Sequence, residues 1–121
     1  MKNIIDDKKE IFVNHNKPAH IKFEYILTCL IIKDVVDCVN SMHNLDPPIA
    51  HKNLKPTNIL VNYMNGEIVF KISDYGLDMN TYESYKYLAP EKVKKIDCGI
   101  ASDIFSLGRI FMEIFDNRYN L

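Results

Sequence analysis

Residues Ser102–Phe115 are apolar around most of a helix, and this limits what the chain can become. Ile104, Phe105, Leu107, Ile110, Phe111, Ile114 and Phe115 cover well over half of a helical circumference. A helix apolar on most sides expects to be buried on most sides. A second helix, predicted over Phe23–His43, supplies one flank. Ile26, Leu27, Leu30, Ile31, Val35, Val39 and Met42 recur at intervals of one, three or four, while Lys33, Asp34 and Asp37 take the polar side. Pro47 and Pro48 stop this helix and force an extended approach to His51.

Between the two helices, Ile59–Val61 and Glu67–Ser73 read as strands joined across Asn62–Gly66. Asn65-Gly66 is a strong hairpin signal, because both residues tolerate positive φ. In the second strand Ile68, Phe70 and Ile72 alternate with Glu67, Val69, Lys71 and Ser73. A short helix is expected over residues 6–14, and loops over His15–His20 and Leu77–Leu88. The fold class is α+β, mainly α.

With 121 residues the chain is one domain or less. A chain of this size can bury roughly 65–70% of its unfolded surface, enough for a modest core. Fifteen basic residues against sixteen acidic ones give no footing for nucleic acid or an anionic membrane. Lys92, Lys94 and Lys95 read as a solvated helix face rather than a binding patch. Cys29 and Cys38, on one helix, would lie ~13 Å apart, too far for a disulfide. With Cys98 they read as reduced thiols of an intracellular, cytoplasmic protein. No apolar run reaches the ~20 residues of a membrane span. The first residues lack a signal-peptide apolar region.

The stretch His51–Leu60 reads H-K-N-L-K-P-T-N-I-L. After it come Asp74-Tyr75-Gly76, then Tyr87-Leu88-Ala89-Pro90-Glu91, then Ser102-Asp103-Ile104-Phe105-Ser106-Leu107-Gly108. In that order they resemble the protein-kinase catalytic loop H-R-D-L-K-P-x-N, the D-F-G motif, the A-P-E motif and the S-D-x-x-S-x-G opening of the central helix of the large lobe. Upstream, Met42-His43 and Pro47-Pro48-Ile49 resemble tyrosine-kinase-like Ser/Thr kinases. The resemblance covers about residues 6–116. It implies that 1–121 is a partial kinase-like domain, running from the helix after the hinge to the central helix, with the small lobe absent.

The resemblance assigns roles residue by residue. Asn53 stands where the catalytic aspartate accepts the substrate hydroxyl's proton, and a neutral amide does not accept it. Lys55 would steady the transferring phosphate. Asp74 and Asn58 would hold Mg²⁺ against the phosphates of ATP; the alternative is that both are turn residues capping strands. Leu60, with Ile59 and Val61, would floor an adenine ring. His51 and Asp103 form a scaffold pair. Lys52 replaces an arginine and loses its planar fork. Glu91 lacks the family's buried arginine partner, since Arg109 and Arg118 are not at the expected place, so it is expected to be solvated or paired differently. Thr81, Tyr82, Ser84 and Tyr85 are conceivable phosphosites, an unmodified short loop being the other reading.

No G-x-G-x-x-G occurs; the glycines are Gly66, Gly76, Gly99 and Gly108. Nothing before His51 resembles the strand lysine and helix glutamate of a working kinase. The expected function is a pseudokinase-type binding or regulatory module, with at most weak ATP and Mg binding and no autonomous phosphoryl transfer. The alternatives are a part of a split or mis-bounded Ser/Thr kinase, or a gene relic without a stable product. The expected partner is a protein that covers the apolar face of the central helix at Ile110, Phe111, Ile114 and Phe115, or that supplies the missing lobe.

Overall fold

The computed structural model describes residues 18–74, 85–94, 96–97 and 99–116, with side chains between 22 and 115. The helix expected over 6–14 lies outside them, as do Tyr75, Gly76, Thr81, Tyr82, Ser84, Lys95, Cys98 and Arg118. The described elements are α1 (Pro18–His43), a 3-10 turn (Pro56–Asn58), β1 (Ile59–Met64), β2 (Glu67–Ile72), the single turn α2 (Pro90–Val93) and α3 (Ile100–Asp116). The fold is α+β and mainly helical. Among the described residues no helix is long and apolar enough to cross a membrane, and Cys29 and Cys38 are both free thiols.

Helix α1 begins at Pro18, earlier than the Phe23 start expected, so Pro18–His20 is not loop. Proline suits the first helical position: its φ is already helical and its missing N–H would have no partner there. Ile31, Val35 and Val39, four residues apart, are the buried stripe of α1. They meet Leu54, Ile59, Phe70, Tyr87, Leu107, Ile110 and Ile114 in one core. Each such side chain contributes about 1.5–3 kcal/mol on full burial.

The hairpin follows the Asn65-Gly66 signal. Asn65 (φ 52°) and Gly66 (φ 84°) both lie in the left-handed region, as a two-residue turn of the I′ type demands. Met64 therefore faces Glu67, and the register runs back to Ile59 opposite Ile72. Strand β1 extends to Met64, past the Val61 end expected, because the tight turn leaves no residues for a longer loop. The register also leaves Phe70, opposite Val61, at a position whose N–H and C=O point away from β1. Helix α1 meets both groups. Asp34 Oδ2 accepts the Phe70 N–H at 3.0 Å, and Cys38, one helical turn on, points its thiol at the Phe70 carbonyl at 4.0 Å.

Helix α3 departs from the expectation in which side it buries. Ile110 and Ile114, expected to await a partner, are buried in the core with Ile31, Val35 and Val39 of α1 and with Leu54. The exposed apolar side chains are Ile100, Ile104, Phe105 and Met112. Periodicity shows that a helix is apolar all round; it does not say which side its own chain covers.

Candidate functional site

The site is organised by one buried carboxylate. Asp103, in the first turn of α3, is 1% exposed. Its Oδ2 accepts the His51 main-chain N–H at 2.7 Å and meets His43 Nε2 at 2.8 Å, and its Oδ1 accepts the Lys52 N–H at 2.9 Å. Burying a carboxylate is tolerable only with such a set of donors. The scaffold link between His51 and Asp103 thus runs through the His51 backbone, not its ring. The ring contact comes from His43 at the last residue of α1, which the sequence reading did not single out for this role. Nothing local marks it, because its partner lies 60 residues on.

With its N–H held by Asp103, Lys52 sits at φ 67°. A non-glycine residue there costs on the order of 1–3 kcal/mol and persists only when its surroundings over-determine it. The Lys92 ammonium donates to the Lys52 carbonyl, so both polar groups of that peptide segment are gripped. The turn at Lys52 aims the His51 ring inward. Its Nε2 bonds the Ser73 carbonyl at 2.8 Å, and its Nδ1 accepts the Asn53 N–H at 3.3 Å. These two partners fit only a neutral ring with its hydrogen on Nε2. Burial pushes the His51 imidazole below its ordinary value of 6.5, against the Ser73 carbonyl and the Asp103 and Asp74 charges, which favour the charged ring.

Asn53 is 7% exposed, and its carbonyl accepts the Asn58 side-chain N–H at 2.9 Å. Asn58, also buried, closes the 3-10 turn opened by Pro56. Its own carbonyl accepts the Ser73 N–H at 2.9 Å, which carries the hairpin pairing one step past Ile59 and Ile72. The register set at Asn65-Gly66 therefore brings Asn58 alongside Ser73 and Asp74. Asp74 is exposed, lies at φ 59°, and receives the Ser73 hydroxyl at 3.3 Å. Asp74 offers a carboxylate and Asn58 an amide oxygen, the hard oxygen donors that Mg²⁺ would take. Among the described residues no three His, Cys, Asp or Glu side chains gather as a metal site of their own.

The remaining expected positions divide. Lys55 is half-buried in an extended conformation just before the 3-10 turn. Leu60 is half-buried, opposite Lys71. Ile59 and Val61 do not join Leu60 in one floor: alternation puts them on the other face, with Ile59 in the core and Val61 exposed. Glu91, the second residue of α2, is half-buried rather than fully solvated.

Residues 85–88, expected as plain loop, are anchored along one side of α3. The Ser106 hydroxyl bonds the Tyr87 carbonyl at 2.8 Å, and Arg109 Nε donates to the Lys86 carbonyl at 3.4 Å. Glu113 takes the Tyr87 hydroxyl and, at 2.9 Å, the Lys86 ammonium. Ser106, Arg109 and Glu113 are three and four residues apart, the spacing of one helix face. That spacing was visible in the sequence, but nothing there said what the face would hold.

The model of the family described as "Protein kinase domain" matches residues 7–120. The chain belongs to the protein kinase domain family. Its kinase relatives include "Probable serine/threonine-protein kinase roco8" of Dictyostelium discoideum, 31% identical over 115 residues, which is 86% of this chain and 6% of that protein. Mitogen-activated protein kinase kinase 2 of Arabidopsis thaliana is 32% identical over 99 residues, 74% of this chain and 26% of that protein. The kinase kinase SIPKK of Nicotiana tabacum is 33% identical over 93 residues, 69% of this chain and 25% of that protein. The chain thus spans between 6% and 26% of the length of these kinase relatives.

Proposed function

We propose that this kinase-family chain acts as a pseudokinase-type binding or regulatory module: the 121 residues hold Mg-nucleotide weakly at best and do not transfer phosphate on their own. The observation that carries this reading is Asn53. It occupies the loop position between His51 and Asn58 where the family's proton acceptor belongs, and it offers a neutral amide. Loss of a general base costs about 10²–10⁴ in rate. No glycine-rich phosphate flap occurs in these residues, which removes a comparable electrostatic contribution. The juxtaposition of Asn58 and Asp74 supports a remnant Mg-nucleotide half-site, with Leu60 beneath it. Its partner would be a protein lying on the exposed apolar side of α3, or one supplying the small lobe.

A radiolabelled-phosphate assay with generic protein substrates tests the catalytic half. No incorporation is expected; incorporation that Asp74→Ala abolishes would sink the reading. Thermal melting with ATP, with and without Mg²⁺, tests the half-site, since a ligand of the native state raises the melting temperature.

A second reading, part of a larger Ser/Thr protein kinase, is favoured by the small share of its relatives' length that the chain spans. Transcript ends reaching beyond this frame would favour it.

A further inference from the structure

The turn that sets the hairpin register is also its chemically weakest point. Asparagine is thermolabile, and of all the asparagines in the sequence only Asn65 is followed by glycine. Both turn residues are exposed. The ladder closes at Met64 and Glu67, so the Gly66 N–H belongs to no strand pair. A side chain built on Gly66 would meet nothing within 4 Å, so the space beside that peptide is open. Helix α1 holds the hairpin at Phe70, well back from the tip. Opening the turn therefore breaks only the end of the ladder, the kind of local fraying that costs least.

We infer that Asn65 is a site of spontaneous covalent modification, and that the change undoes the register this turn sets. The Gly66 main-chain nitrogen attacks the Asn65 side-chain Cγ, with glycine offering the least hindrance. An N–Cγ bond forms, the Cγ–Nδ2 bond breaks, and the Gly66 proton leaves with ammonia. Water then opens the cyclic imide. Addition at Cγ breaks the new N–Cγ bond and leaves aspartate. Addition at the Asn65 main-chain carbonyl breaks the original peptide bond and leaves isoaspartate. Water is the only reactant consumed.

The two products part company in the fold. Asp-Gly suits a turn of the I′ type as Asn-Gly does, so aspartate keeps the hairpin. Isoaspartate runs its main chain through Cβ and Cγ, which adds a carbon to a two-residue turn. The pairing that runs from Met64 and Glu67 back to Ile59 and Ile72 then loses its register. The Asn58 carbonyl, which takes the Ser73 N–H one step further on, loses its donor. Ageing of one exposed turn thus reaches the Asn58 and Asp74 half-site. Only that last step rests on the function proposed above; the modification does not.

The experiment is incubation of the whole chain for days in heavy-oxygen water, warm and mildly alkaline, beside a urea-unfolded sample. Mass spectrometry of its peptides is the readout. Heavy oxygen is expected at residue 65 ahead of every other asparagine, as aspartate and isoaspartate that electron-transfer fragmentation tells apart. The isoaspartyl fraction should melt below the fresh chain, while freshly purified Asn65→Asp melts like it. Asn65→Gly should stay unlabelled at the turn and keep its melting temperature on incubation, since Gly-Gly also suits this turn. An intact Asn65 in the folded chain, while the unfolded chain reacts, overturns the inference. Labelling spread evenly over the asparagines overturns it too, as does an isoaspartyl fraction that melts like the fresh chain.

Discussion

The side-chain amide of Asn58 donates to the main-chain carbonyl of Asn53 at 2.9 Å. The loop's shape therefore depends on the backbone of residue 53 and on the side chain of residue 58, not on what side chain position 53 carries. That bond is available whatever side chain stands at position 53.

Replacing Asn58 with alanine removes the donor and leaves the Asn53 carbonyl buried without it. The expected cost is about 1–3 kcal/mol, a fall of several degrees in melting temperature for a domain of this size. Asn53→Ala, which leaves that carbonyl in place, should cost less. Urea denaturation of the two variants compares them; a larger loss for Asn53→Ala would refute the division of labour.

Asp103 should be the most sensitive single polar position. Asp103→Ala leaves three buried donors facing a void, with an expected loss of ~3–5 kcal/mol. Asp103→Asn keeps one acceptor oxygen but turns an amide donor toward the others, and should lose about half as much. Chemical denaturation measures both, and a near-neutral Asp103→Ala would show that His43, His51 and Lys52 are held by something else.

His51 predicts a pH dependence. Its folded value lies below the ordinary 6.5, so the unfolded chain takes up the proton first as the solution is acidified. The stability that the neutral ring contributes is complete above 6.5 and is lost as pH falls toward the folded value. Melting of the wild type between about pH 7.5 and 5 should fall more steeply than melting of His51→Gln, which cannot protonate. Parallel curves would contradict the fixed neutral ring.

Asp34→Ala should expose what fastens the hairpin to α1. The Phe70 N–H loses its acceptor, at a cost of ~1–2 kcal/mol. Hydrogen exchange at the Phe70 amide should quicken far more than exchange at Val69 or Lys71, whose groups face β1. Equal acceleration along the strand would point to general loosening instead.

What the sequence disclosed was the chemistry of turns and the periodicity of helices. Asn65-Gly66 announced the hairpin, and with it the register that carries Asn58 to Ser73. The end of β1 was hidden because Asn62, Tyr63 and Met64 do not alternate, and only the tight turn requires them to pair. Pro18 was read as a loop breaker when it opens α1, since proline signals both. The open side of α3 was illegible for a different reason. Apolar periodicity reports what a helix prefers, while burial depends on which neighbours reach it. The contacts of His43 and Glu113 were illegible because their partners lie far along the chain, and no local pattern encodes a contact across 60 or 26 residues.

The Asp103 bonds also bear on the order in which the molecule assembles. The carboxylate that fixes the last residue of α1 and the bend at Lys52 is carried more than fifty residues downstream of that bend's first contact. A nascent chain can coil α1, close its hairpin and bring the His51 ring to Ser73 early, but the bend at Lys52 lacks its carboxylate until the start of α3 leaves the ribosome. Contacts of such separation are slow to form, so the bend at Lys52 is fixed after the helix and the hairpin on either side of it.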